Sequence, residues 1–143
     1  MAVERRRGGI SRILGGAIQS MAEAFVMVHK AGGDVSQFRE IVTGGLFSGT
    51  AHTTYSGLIE AGRFDQVGFA VELELAVKDI ELVLAAGRDL AVPLLTAALV
   101  RNRLLSMMAQ GEGGLDWAAL VREQGKASGL NVDGQENLWG GRQ

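Results

Sequence analysis

Apolar residues recur at three- and four-residue intervals along most of the chain, and no stretch alternates with a period of two for long enough to make a strand. The clearest periodic segment is residues 69–87, which has no helix breaker between Ala70 and Ala86. At 100° per residue, Leu73, Val77, Ile80 and Leu84 form one apolar stripe, and Val71, Leu75, Leu82 and Ala86 form a second on nearly the opposite side. Thin polar stripes separate them: Glu74, Lys78 and Glu81 on one side, Glu72 and Asp79 on the other. A helix apolar on two faces is usually covered on both. The pattern therefore predicts an all-α domain built around this segment as its long buried central helix, about 26 Å in length.

The other segments follow the same logic. Residues 1–9, with three adjacent Arg and two Gly, are expected to be disordered. Leu14, Ile18, Met21, Phe25 and Val28 predict a helix over 10–30, stopped by Gly32-Gly33. Gly15-Gly16 inside it implies close packing against another helix, since each Gly costs ~1 kcal/mol against Ala. Asp34 is placed to cap a short helix over 35–43. A third helix over 49–61 has Ser48 or Thr50 as candidate caps and Tyr55, Leu58 and Ile59 on one side. Pro93 suits the first turn of a helix that runs to about Gln110 with Leu94, Ala98, Leu105 and Met108 on one face. Asp116 caps a last short helix through Trp117, Leu120 and Val121. The helical domain is expected over 10–124, with a polar, Gly-rich, frayed tail over 125–143. The six Gly doublets mostly fall where periodic segments end and read as stops.

Composition narrows the function. The 143 residues suit one domain, and 47% apolar content supports a real core. A formal charge of −2 argues against broad attraction to nucleic acid or anionic membrane. There is no Cys, and His29 and His52 are too few and too isolated to predict a metal site. No apolar run approaches the ~20 residues of a membrane span. Gly8-Gly9, Ser11 and Arg12 interrupt any signal-peptide core after Arg5, Arg6 and Arg7, so a cytoplasmic protein is expected.

Standard sites are missing from the sequence. No Gly doublet completes the strand, Gly-x-Gly-x-x-Gly, helix pattern of dinucleotide binding, and the 9–16 segment lacks the Lys-Ser/Thr of a phosphate loop. The chain therefore cannot build a standard nucleotide-binding half by itself. A Ser–His–Asp triad has no geometric support. Lys78 is the one suggestive cation. Its spacing predicts ion pairs with Glu74 and Glu81, worth ~0.3–0.5 kcal/mol each. Ser48 opens a segment rich in small hydroxyls that either borders a pocket or starts a helix.

Five short pieces carry a family resemblance in order and spacing: Met21-Ala22-Glu23-Ala24 with Lys30-Ala31-Gly32; Gly44-Gly45-Leu46-Phe47-Ser48; Ala76-Val77-Lys78-Asp79-Ile80; Val92-Pro93-Leu94; and the run from Gly111 to Leu120. From about Leu14 to Gly129 the chain resembles the C-terminal helical domain of the β-hydroxyacid dehydrogenases, which include 3-hydroxyisobutyrate dehydrogenase. The resemblance implies a fold like the C-terminal domain of 6-phosphogluconate-dehydrogenase-like enzymes. It also implies an NAD or NADP cofactor held by a separate Rossmann domain, and self-association through the helical domain. It places Lys78 near the nicotinamide end of the cofactor, and Asp79, Phe69 and Ser48 at the substrate pocket or orienting it, with Phe69 two residues further from Asp79 than is usual. The family's catalytic Lys position falls on Arg7, and its companion Asn position falls near Ser11. Arg cannot readily exchange a proton, so no catalytic residue is assigned, and the chain alone is expected to be inactive with weak or absent cofactor binding. The reading is an isolated C-terminal-type domain, as a gene fragment or half of a split enzyme. The alternative is a helical dimerisation or interaction module without a redox role.

Overall fold

In the computed structural model, the described residues are 2–62, 64, 65, 72–132 and 138–140, without the side chains of residues 2–5 and 7. They form α1 (Ala2–Lys30), α2 (Val35–Gly44), α3 (Thr50–Ala61), α4 (Leu73–Asp89), α5 (Leu95–Ala109), a short 3₁₀ turn (Trp117–Ala119) and α6 (Leu120–Ala127). Among the described residues there is no strand, only an isolated bridge between Glu72 and Asp116. The domain is all-α, as the periodicity predicts. No described helix is long and apolar enough to cross a membrane.

A long central helix is present, but it is α1 and not the 69–87 segment. α1 packs against α2, α3, α4, α5, α6 and the 3₁₀ turn. It supplies Ile18, Ala22, Phe25 and Val26 to a core completed by Ile59, Leu73, Ile80, Leu104, Met107, Trp117 and Leu120. In α4 only the first stripe is covered: Leu73 and Ile80 are buried, and Val77 and Leu84 pack against the core. In the second stripe, Leu75 is 45% exposed and Leu82 64% exposed. The reason is that α1 and α5 both lie on the Leu73–Ile80 side of α4, which leaves the opposite side uncovered. Val71 lies outside the described residues.

The N-terminal segment is a second correction. Residues 2–9 are helical and continuous with α1 instead of disordered. Gly8 is the physical reason: a Cβ there would lie 2.5 Å from Val83 Cγ2, so the bare backbone is packed directly on α4. Gly15 and Gly16 bear out the close-packing reading. Their missing Cβ atoms would sit 3.3 Å from Val100 Cγ1 and 3.1 Å from Thr96 Cγ2, both on α5.

Several ends are capped as predicted. Gly33 N–H donates to the Val28 carbonyl at 2.9 Å and Gly32 N–H to the His29 carbonyl at 3.0 Å, with Gly32 at φ 88°, a pattern that closes α1 with a left-handed residue. The Asp34 carboxylate accepts from Gln37 N–H at 2.8 Å, and the Asp116 carboxylate from Ala118 N–H at 2.8 Å. Neither Ser48 nor Thr50 caps α3. Gly49 occupies that position without a side-chain bond, and Ser48 instead offers its carbonyl to the Thr53 hydroxyl. Pro93 precedes α5 rather than sitting in its first turn, because Leu94 is non-helical (φ −118°, ψ 68°) and folds back over Gly87. The buried face of α5 is Ala97, Val100, Leu104 and Met107, one residue off the expected face. α5 is apolar nearly all round, with Leu95, Leu99 and Leu105 exposed, so its wheel does not select a side.

The tail is not simply frayed. α6 continues to Ala127, Val132 and Leu138 are buried, and the Trp139 indole donates to the Ile59 carbonyl at 3.0 Å while its ring meets His29 edge-on. A few large apolar groups in a polar stretch are enough to dock it, and residues 133–137 and 141–143 lie outside the described set.

Two outcomes follow. In α1 a Cβ at Gly9 meets nothing, so Gly9→Ala is expected to raise unfolding free energy in urea by ~0.5–1 kcal/mol, whereas Gly15→Leu lowers it by ~1–3 kcal/mol through overpacking. No gain at Gly9 would contradict a folded N-terminal turn. Separately, Tyr55 is pushed above the ordinary phenol value, chiefly by burial, with the Asp116 carboxylate adding and the hydrogen bond from the Trp117 indole opposing. The folded state therefore keeps the phenol proton after the unfolded chain releases it. The stability contribution is intact below about pH 10 and is lost as pH rises through the raised value. Urea midpoints in alkali should fall more steeply for the parent than for Tyr55→Phe, and parallel profiles would contradict this.

Candidate functional site

The candidate site is built where the first half of α1 crosses α4. Gly8, Ser11 and Gly15 recur at i, i+3 and i+7, which places them on one face of α1. On α4, Ala76 and Ile80 are buried and Val83 follows along the same side. Glycines at both ends of the contact let the two backbones approach. Gly8 sits against Val83 and Gly15 within reach of Ile80, where a Cβ would be 3.9 Å from Ile80 Cδ1. Between them the Ser11 hydroxyl donates to Asp79 Oδ2 at 3.4 Å, a long and therefore weak bond.

Lys78 is the next residue on α4 and points to the outer side. It is exposed and makes no ion pair among the described residues. The expected pairs with Glu74 and Glu81 are not formed. The packing of α5 on α4 brings the half-buried Arg101 guanidinium to Glu81 at 3.0 Å, and it takes that carboxylate. Lys78 therefore stands as a single cation on the α4 face that also carries the exposed Leu75 and Leu82, three residues before it and four after.

The structure thus brings Ser11, Asp79 and Lys78 to one edge of the domain. Position 7 is on α1, one turn before Ser11, and Phe69 lies outside the described residues. Ser48 is not part of this cluster. It is exposed on the α2–α3 connection, beside Phe47 and His52, whose rings are 5.0 Å apart. Among the described residues no group of His, Cys, Asp and Glu is arranged to hold a metal ion. No strand–glycine turn–helix unit that would cradle a pyrophosphate is present among them either. The described residues therefore offer no cradle for the phosphates of a dinucleotide.

Gly15-Gly16 marks close helix packing in the sequence, but the part of the glycine seam formed by Gly8 and Ser11 depends on α4 arriving beside them. The seam's signal was present as two doublets seven residues apart, with a small polar residue between them.

Comparisons with known proteins agree with this architecture. Residues 11–123 match the family model described as the NAD-binding domain of NADP-dependent 3-hydroxyisobutyrate dehydrogenase. An uncharacterized oxidoreductase, YfjR, of Bacillus subtilis is 32% identical over 113 residues, covering 79% of this chain and 38% of that protein. A probable mitochondrial 3-hydroxyisobutyrate dehydrogenase-like protein of Arabidopsis thaliana is 29% identical over 117 residues, covering 82% of this chain and 34% of that one. The crystal structure of a 3-hydroxyisobutyrate dehydrogenase from Salmonella typhimurium superposes with a TM-score of 0.70 at 21% identity, over 81% of this chain and 40% of its own, a likeness of fold. The chain therefore spans between a third and two fifths of the length of these proteins.

Proposed function

The chain belongs to the 3-hydroxyisobutyrate dehydrogenase family as a helical domain of its C-terminal type, and we propose that it forms the cofactor- and substrate-side and dimerisation domain of an NAD- or NADP-dependent 3-hydroxyacid oxidoreductase. One observation supports this above the others: Lys78, without an ion pair among the described residues, stands on an exposed apolar helix face beside the Ser11–Asp79 contact. An exposed ammonium without an ion pair among the described residues is free to donate to an acceptor such as the carboxamide oxygen of a nicotinamide, and the leucines beside it suit contact with a second domain.

In this reading NAD or NADP, when bound, carries the hydride. Lys78 meets the nicotinamide end, and Asp79 fixes the Ser11 hydroxyl toward the same space. The phosphates are held by a Rossmann domain, on the same polypeptide or on a separate one. The assembled protein works in the cytoplasm. Proton transfer from the substrate hydroxyl in oxidation, or to the carbonyl oxygen in reduction, needs a group that titrates near neutrality, and the Arg at position 7 does not. The same Arg favours the second reading, a helical interaction module with no redox role, for which the exposed Leu75 and Leu82 would be the contact surface.

The test combines NADH and NADPH fluorescence titration with turnover of small 3-hydroxy acids. It is run on the chain alone, with a relative's Rossmann domain added, and with Lys78→Ala. The chain alone should neither turn over nor bind tightly. Addition of the Rossmann domain should produce cofactor binding that falls roughly tenfold in Lys78→Ala, the size of one charged contact at ~1.5 kcal/mol. The variant's urea stability should stay within ~0.5 kcal/mol of the parent, because the exposed ammonium has no ion pair among the described residues to lose. Self-association without any cofactor response to the Rossmann domain would select the interaction module instead. Tight binding by the lone chain, lost in Lys78→Ala, would show that the Rossmann domain is dispensable.

A further inference from the structure

A second feature lies on the other side of α1. Ser20 is nine residues after Ser11, about two and a half helical turns, so it faces away from the Asp79 edge. There, the outer face of α1 and the α2–α3 hairpin form a cleft, open on one side, of about 330 Å³, at the lower end of the ~300–1,000 Å³ usual for ligand pockets. Small side chains on α1, Ala17 and Ala24, open it. Its walls are apolar: Met21 and the fully buried Phe25 beneath, Phe38 and Phe47 opposite.

Only two lining side chains are polar and able to hydrogen-bond, and both are idle. The Ser20 hydroxyl at the mouth and the half-buried His52 imidazole make no hydrogen bond to any described residue. The His52 ring packs against Phe47, at 5.0 Å and 42°. Apolar walls with a few polar groups are the usual composition of a small-molecule site. A hydroxyl and an imidazole N–H can each donate one hydrogen bond, so a single acceptor group on a ligand would satisfy both at once.

We propose that this cavity binds a small, largely apolar molecule carrying one acceptor group, of the class of aromatic or branched monocarboxylates. The apolar body lies between Phe38, Phe47 and Met21, and the carboxylate takes hydrogen bonds from Ser20 and His52. The site is separate from the Ser11–Asp79 edge, and it stands or falls independently of the dehydrogenase reading.

The test is a benzoate titration of the chain followed by proton NMR of the imidazoles, which are only two, His29 and His52. The His52 signals should shift saturably while those of His29 do not. Affinity should fall at least fivefold in Ser20→Ala and vanish in Ala24→Phe, which fills the cavity, with circular dichroism of both variants unchanged. A linear, unsaturable shift, equal shifts at both histidines, or undiminished binding in folded Ala24→Phe would overturn the proposal. A dimer in sedimentation that Ala24→Phe splits would also overturn it, by assigning the cavity to a second copy of the chain. Should Ala24→Phe fail to fold, the Ser20→Ala comparison decides alone.

Discussion

The close approach of α1 to its neighbours is the constraint on which the rest of the domain depends. Three glycines make it possible: Gly8 against Val83, Gly15 against Val100 and Trp117, Gly16 against Thr96. A side chain at Gly8 or Gly15 would push α4 or α5 outward, and the core stacked behind them, Ile80, Val100 and Trp117, would open with it. Glycine inside a helix costs backbone entropy, so this arrangement is favoured only because the packing it allows returns more. The same approach sets the site. Ser11 reaches Asp79 because the helices on either side of that contact touch at their backbones.

The all-helical class and most of the helix ends were legible in the sequence because they rest on local chemistry. Asp34 and Asp116 cap through their own carboxylates, and Gly32 takes a left-handed conformation that other residues resist. What was not legible depends on which elements become neighbours. The two-sided apolarity of α4 suggested a central helix, yet Leu75 and Leu82 stay exposed because both neighbours pack on the other side. Three adjacent Arg hid the helical start of α1, since the stabilising partner, Val83, is 75 residues away from Gly8. At the tail, Leu138 and Trp139 outweighed the polar composition around them.

The candidate site divides in the same way. Lys78 and Asp79 were visible as a pair on a helix and through the family resemblance, but the pairing of Lys78 with Glu74 and Glu81 failed once Arg101 arrived from α5. The Ser11–Asp79 contact needed the fold, as did the cavity under Phe38 and Phe47, to which residues from three elements contribute. Ser48, grouped with Lys78 by the resemblance, belongs to that other side of the molecule.

The first turns of α1 are helical and lie directly on α4. A disulfide tests this most directly, because the chain has no cysteine of its own. A Cβ at position 8 would sit 3.9 Å from the Val83 Cβ, inside the ~3.5–4.5 Å range of natural disulfides. In the double variant Gly8→Cys, Val83→Cys, mild oxidation should therefore give an intramolecular disulfide in nearly all molecules, with helicity retained and a higher urea midpoint than in the reduced form. Thiols that stay free under those conditions, or a crosslink that forms only after the chain is unfolded, would contradict the account.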